Sequence, residues 1–328
     1  MKGCQMRCHH PQLPLIKHNP ARRLPRWLLG GILYVGLMGV IAASPLSSND
    51  VVDRQLREHI QQLELSGDPA LGRQLPGINT PLAQLGKQLF FSKVLSGSKD
   101  TACASCHHPL LGGGDGLSLP VGVEAKNPDQ LGPGRRHSAT AERYDGGPPV
   151  PRNAPTTFNI ALWDQVMFHD GRIESLSKIA GSGGAVGGIR TPDSFYGTAD
   201  PLAGDDLVVA QARFPVTSEV EMRSFLFERG HTNDEVRTQL ERRLIEYQTA
   251  IEKQLWLAAF RLGYQNPQGT AEQLITFDNI SRALAAYQRS QLFVDTPWRA
   301  YVKGDLDAIS GDAKKGALLF FTSYQQGG

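Results

Sequence analysis

Cysteine is scarce: the 328 residues hold four, at positions 4, 8, 103 and 106. The first pair precedes an apolar stretch, so Cys103 and Cys106 are the one pair in the body of the chain. A structural zinc site built on paired cysteines wants a second pair or an H-x3-5-H, and neither follows. Acidic residues are missing from the first 26 positions, which hold six Lys/Arg. Without that leader, 28 basic residues face 32 acidic ones, a net of −4. No basic patch interleaved with aromatics points to nucleic acid. Sustained alternation of apolar and polar residues is also missing, so no strand pattern stands out. The rest is an ordinary globular mixture, 40% hydrophobic and 20% charged, able to build a core.

Behind the basic leader, residues 27–44 read "WLLGGILYVGLMGVIAAS", without a charge. A basic region, an apolar stretch and small residues after it form an export signal. The stretch is also long enough for a membrane anchor. Residues 1–45 are therefore expected to be a signal peptide or anchor, with the bulk of the chain in a periplasm, free or anchored to the inner membrane. In "CQMRCHH", Cys4 and Cys8 have one residue too many between them for a haem motif and read as incidental leader residues.

The chemistry concentrates in "TACASCHHP", residues 101–109. C-x-x-C-H is the attachment signature of a c-type haem. Residues three apart share a helix face, so the Cys103 and Cys106 thiols can meet the two vinyl groups of one porphyrin. His107, next along, can turn its imidazole under the iron. A thioredoxin-like dithiol wants a βαβ setting, which the neighbourhood lacks. A disulfide across two residues remains compatible with the pair but leaves His107 unexplained. His108 reads as a surface residue.

The organisation reads as mainly α with long loops. Helices are expected over 51–65, 79–91, 101–108, 155–162, 173–179, 233–262 and 277–291. In 79–91, Thr80 is the N-cap and Pro81 the first helical residue, with Leu82, Leu85 and Leu89 on one face. In 233–262 the apolar stripe is Val236, Leu240, Leu244, Tyr247, Ile251 and Leu255, with a break allowed. In 277–291 it is Phe277, Ile280, Leu284 and Tyr287. Residues 118–155 and 181–210 are long Gly-rich excursions, and long loops are often functional. "KGALLFFTS" at 315–323 echoes "GKQLFFS" at 86–92. If this is an internal repeat, a second C-x-x-C-H is expected just past residue 328.

The motifs "LGKQLFFSKVLS", "CASCHHP", "DGL", "RNAPTTFN", "DGR", "FPVTSEVEM" and "TFDNISRALAAYQ", in this order, resemble the bacterial di-haem cytochrome c peroxidases and their MauG-type relatives. The resemblance runs from about residue 76 to 328. It implies two cytochrome-c-like helical domains, one haem each, the first handling peroxide and the second taking electrons from a small donor protein. On that reading residues 46–304 are the first, peroxidatic domain and 305–328 the start of a second. The chain is then expected to be a fragment of a longer open reading frame.

The resemblance also assigns residues. Glu221 matches the distal acid-base carboxylate, while Glu219, two residues earlier, is expected to point the other way. Asn153 matches a calcium ligand between the domains, so Ca2+ joins haem c as an expected cofactor. Arg152 serves either a haem propionate or a structural salt bridge. Two departures stand out. Where relatives carry a distal His after "DGL", this chain has Val123, which leaves either an open iron or a ligand from the loop such as His137, otherwise an exposed loop residue. Where many relatives have Trp between the haems, this chain has His169, a poorer station for electrons.

The leading expectation is an enzyme that reduces hydrogen peroxide to water with electrons from a small cytochrome c or copper protein. The alternatives are a mono-haem electron carrier capped by Met222 or Met167, and a MauG-type oxidase acting on a partner protein.

Overall fold

The computed structural model describes residues 48–322. The leader and the last residues, with the export segment expected there, lie outside the described residues. In chain order the helices are α1 (Ser48–Gln62), α2 (Pro81–Phe91), the single turn α3 (Cys103–Cys106), α4 (Leu207–Ala212), α5 (Asn233–Ile245), α6 (Ala250–Gly263), α7 (Ala271–Leu274), α8 (Phe277–Arg289), α9 (Pro297–Val302) and α10 (Gly311–Phe321). None of the described helices is long and apolar enough to cross a membrane.

Two helices whose starts are written in the sequence organise the core. Pro81 opens α2 after an extended Thr80. Thr276 caps α8, its hydroxyl accepting from Asn279 N at 3.3 Å, as N-cap threonines do. Each helix then buries one stripe: Leu85, Leu89 and Phe90 on α2, and Ile280, Ala283, Leu284 and Tyr287 on α8. The two stripes meet with Leu240 and Leu244 of α5 and Phe260 of α6 in one cluster, against which Cys103 packs. The α2–α8 crossing is tight enough to require Gly86: a Cβ there would stand 1.8 Å from the Ala283 carbonyl oxygen.

A second apolar cluster forms beyond Ala285 of α8. It holds a small antiparallel sheet of β1 (Val166–Met167), β2 (Ile173–Ser175) and β3 (Ile189–Arg190), in the order β1-β2-β3, covered by α4. The helix expected over 173–179 is thus a strand. Ile173 and Ser175 point inward while Glu174 points out and pairs with Arg190 across the register, Oε2 to Nε at 3.1 Å. Strands of two or three residues carry no readable period, which is why the sequence showed none. The excursion expected over 181–210 contains β3 and the start of α4. That helix begins where Asp206 Oδ1 accepts from Val208 N at 2.7 Å. The short helix expected over 155–162 shrinks to one turn, Ile160–Leu162.

The long helix expected over 233–262 breaks. Thr249 and Glu252 form a reciprocal capping box that starts α6 afresh, as a threonine followed three residues on by glutamate does. The restart rotates the apolar face. Val236, Leu240 and Leu244 are fully buried, while Tyr247, Ile251 and Leu255 are exposed and the core contact passes to Phe260. At the far end, Asp53 of α1 accepts from the Tyr301 hydroxyl at 2.6 Å and from Lys314 Nζ of α10 at 2.9 Å. These bonds span residue 304, where the first haem domain was expected to end. α10 carries the echo of α2, yet the Gly86 counterpart, Gly316, has open space around it, and Leu319 and Phe320 are 63% and 82% exposed.

The two glycines therefore predict opposite outcomes. Gly86→Ala forces α2 off α8 and should destabilise the fold by about 1–3 kcal/mol or more. Gly316→Ala meets nothing and should stabilise by up to about 1 kcal/mol through helix propensity alone. Thermal unfolding of the two variants beside the parent checks both signs.

Candidate haem site

α3 is one helical turn, held by the His107 backbone N–H donating to Cys103 O at 3.0 Å and by Ser105 Oγ accepting from Ala102 N at 3.0 Å. It brings Cys103 and Cys106 onto one face, and no disulfide joins them. Both side chains are partly exposed, yet the surrounding protein pushes each thiol up to about 12 through desolvation, with the Asp115 charge adding at Cys106. A reactive dithiol calls for the opposite shift. Among the described residues no group of three or more His, Cys, Asp or Glu side chains could hold a metal ion by itself. Neutral thiols one turn apart fit thioether attachment.

His107 follows the turn with its ring pinned. Its Nδ1 lies 2.9 Å from Pro155 O and 3.2 Å from Gly113 O. Carbonyls only accept, so Nδ1 carries the proton and the Nε2 lone pair is left for a ligand, the arrangement that fixes metal-binding histidines. Desolvation lowers the imidazole's pKa and keeps it in the neutral, ligating form. Gly113 is required for this: its φ is +77°, and a Cβ would stand 2.6 Å from Thr156 Oγ1. Asp115, two residues on, is buried and within electrostatic reach of both His107 and Cys106. Its Oδ1 accepts from Leu117 N at 2.9 Å, while Oδ2 has no partner among the described residues. A turn with two neutral thiols on one face, followed by a neutral imidazole offering Nε2, fits a haem c.

The other wall comes from residues 121–123 and 219–223. Cys106 Sγ lies 4.0 Å from Val121 O. Gly122 lies against the next segment so closely that a Cβ would stand 2.2 Å from Val220 O and 2.9 Å from Glu221 Cα. Val123 is fully buried, and its N–H donates to Val220 O at 3.3 Å. Glu219–Arg223 forms a wide π-type turn, closed by Arg223 N donating to Ser218 O at 2.9 Å, a geometry common at functional sites. The turn separates the two carboxylates. Glu219 bonds Arg223 and faces Arg143 at 3.5 Å. Glu221 has Arg172 at 4.0 Å, and its charge acts on Cys106. Desolvation raises the Glu221 pKa, with Arg172 opposing.

Arg135 holds this wall, and sequence reasoning passed over it. It is buried, and its guanidinium donates to four carbonyls: Val121 at 2.8 Å, Gly122 at 2.9 Å, Gln130 at 3.0 Å and Pro128 at 3.1 Å. A fifth bond reaches Thr101 Oγ1 at 3.4 Å, at the entry to α3.

The remaining candidates are scattered. His137 is buried rather than exposed. Its Nδ1 lies 3.0 Å from Gly147 O and its Nε2 4.0 Å from Glu124 Oε2. Asn153 is exposed and donates from Nδ2 to Leu117 O at 2.7 Å and Ser118 O at 3.3 Å. Arg152 and His169 are exposed. Met222 packs in the main core and Met167 in the second cluster.

Replacing Arg135 by Met keeps bulk and removes the donors. Several buried carbonyls then lose their partner, at about 1–3 kcal/mol each where water does not reach. The expected result is a fall in thermal midpoint together with a lower yield of covalently attached haem. An unchanged yield and midpoint would show that the wall stands without it.

A family profile described as di-haem cytochrome c peroxidase matches residues 80–307. The cytochrome c551 peroxidase of Pseudomonas aeruginosa is 25% identical over 297 residues, 89% of this chain and 62% of the relative. The methylamine utilization protein MauG of Methylorubrum extorquens is 27% identical over 236 residues, 72% of this chain and 45% of the relative. This chain thus spans less than two thirds of either. A crystal structure of a MauG-like protein associated with microbial copper homeostasis aligns with a TM-score of 0.45 at 17% identity, covering 76% of this chain and 53% of that one. With the C-x-x-C-H turn at its centre and the profile matching most of its length, the chain belongs to the di-haem cytochrome c peroxidase family.

Proposed function

We propose that the protein is a c-type haem peroxidase of the periplasm that reduces hydrogen peroxide to water with electrons from a small donor protein, a cytochrome c or a copper protein. Cys103 and Cys106 are the attachment residues, His107 the iron ligand and Glu221 the acid-base group. The observation that carries the reading is a His107 ring whose Nδ1 is already committed, on the turn whose Cys106 Sγ meets the wall that carries the partly buried Glu221 carboxylate. Bound haem would supply a coordination position for peroxide and a store for electrons.

The protein's own groups manage the protons. A carboxylate at Glu221 accepts the proton of one peroxide oxygen and returns it to the other, so that the O–O bond breaks with water as the leaving group. Two electrons from the donor and two protons balance one peroxide against two waters. Burial serves this role in two ways: it strengthens the field of the carboxylate, and it brings its pKa nearer to neutral, where acid and base forms can alternate. Val123 is a buried aliphatic at the position where relatives carry a distal histidine, which supports an iron open to peroxide without a ligand having to leave. Met222 and Met167 are each committed to apolar packing, which disfavours a methionine-capped carrier. Asn153 is the calcium ligand of this reading; its Nδ2 donates to the Leu117 and Ser118 carbonyls, which leaves its Oδ1 for an ion.

Glu221→Gln keeps size and removes the base. In the haem-loaded protein the rate of reaction with peroxide is expected to fall about 10²–10⁴-fold, while cyanide still binds and shifts the Soret band. A parent protein whose haem ignores both ligands is a carrier, and a variant as fast as the parent removes Glu221 from the mechanism.

A further inference from the structure

The hairpin loop between β1 and β2, "FHDGR" at 168–172, takes no part in the steps above. Its backbone is tightly wound, with φ of +64° at Phe168 and +65° at Gly171. A bulky residue rarely adopts the first of these. The turn folds the Arg172 guanidinium back over the Phe168 ring, its carbon 3.7 Å from the centroid. Asp170 completes the clamp: Oδ2 accepts from Arg172 Nη1 at 3.1 Å and Oδ1 from its backbone N–H at 3.3 Å. An aromatic face and a carboxylate thus fix the guanidinium from two sides. Its remaining edge, Nη2, stands 4.0 Å from Glu221 Oε1.

The charges around Glu221 leave this contact without a rival. On its own turn, Arg223 is bonded to Glu219, which also faces Arg143. From α3 the nearest ionisable group is Cys106, itself flanked by Asp115 and Arg135. Arg135 spends its donors on backbone carbonyls and Thr101. Residues 121–123 present Val121, Gly122 and Val123, without charge. The hairpin contributes Arg172 and, behind it, Asp170.

We propose that Arg172 is the positioning residue of the distal carboxylate: clamped by Phe168 and Asp170, it presents Nη2 to Glu221 Oε1 and orients that carboxylate. The inference rests on the peroxidase reading only for its consequence in turnover; the coupling itself belongs to the apposed side chains. Burial favours the neutral acid and a nearby cation favours the carboxylate, so the two act in opposite directions. Removing the cation must raise the pH at which the base becomes available.

The test uses the haem-loaded full chain with Arg172→Gln and Arg172→Lys, followed by two readouts. The first is the rate of reaction with hydrogen peroxide against pH. Its acid limb is expected to move up by about half a pH unit or more in R172Q, and to stay near the parent in R172K, which keeps the charge. In a Glu221→Gln background the same R172Q change should move nothing further, as a double-mutant cycle requires of a pair that acts together. The second readout needs no turnover: the carboxyl stretch that E221Q removes from the infrared difference spectrum is followed against pH, and its midpoint should rise in R172Q. The Arg172 side chain is 37% exposed, so R172Q is expected to fold with an unchanged thermal midpoint. A parent protein inert to peroxide whose infrared midpoint still rises in R172Q would sink the peroxidase reading and leave the coupling standing. An infrared midpoint unmoved in R172Q, or an R172Q effect that persists in full without Glu221, overturns the inference.

Discussion

Every other feature of the site depends on satisfying the backbone of segments that have no regular partners. The walls around Cys103, Cys106 and His107 come from long loops, whose carbonyls cannot find ladder bonds. Buried arginines take that part. Arg135 gathers the carbonyls of 121, 122, 128 and 130. Arg243 of α5 does the same for Val94 and Gly97 at 3.1 and 3.0 Å, and for Ser96. Gly97 in turn donates to Met222 O at 2.7 Å, one residue from Glu221. A guanidinium suits this because it offers five donors in a rigid plane and is weakly hydrated, so less is lost on burial than for an ammonium. Arg135 and Arg243 thus fix the backbone on either side of Glu221 without touching its side chain.

With the frame fixed, chemistry follows from burial and sign of charge. The same low-polarity surroundings push the thiols up, the His107 imidazole down and the Glu221 carboxyl up. The first two suit attachment and ligation, and the third suits proton transfer near neutral pH. The exposed edge of the site carries the compensating charge, with Arg172 on the hairpin and Arg143 beside Glu219. One environment therefore acts on Cys103, Cys106, His107 and Glu221 together.

What the sequence disclosed and withheld divides along physical lines. Cys103, Cys106 and His107 stood out because C-x-x-C-H is one contiguous motif, and the structure places them on and next to a single turn. α2 was legible because a first-turn proline coincides with a 3.6-residue stripe, and α8 because its stripe is unbroken. The capping box at Thr249 was equally present and sets the break that the reading of 233–262 allowed, but a stripe continued through Tyr247, Ile251 and Leu255 hid where it falls. β2 was missed because three residues hold no period. Arg135 and Arg172 were invisible for a different reason: a loop arginine that binds carbonyls and one that faces solvent are written with the same letter. Only the close approaches at Gly122 and Gly86, which no local pattern encodes, reveal how the segments meet.

The account stands or falls on covalent haem at Cys103 and Cys106. The direct measurement is the intact mass of the chain matured in a cell that attaches c-type haem, beside a Cys103→Ser/Cys106→Ser variant. The account predicts a mass increase of at least one haem that survives denaturation in the parent and is absent from the variant, with Cys4 and Cys8 contributing nothing. A parent chain of unmodified mass, with two free thiols or a disulfide at 103 and 106, would contradict it.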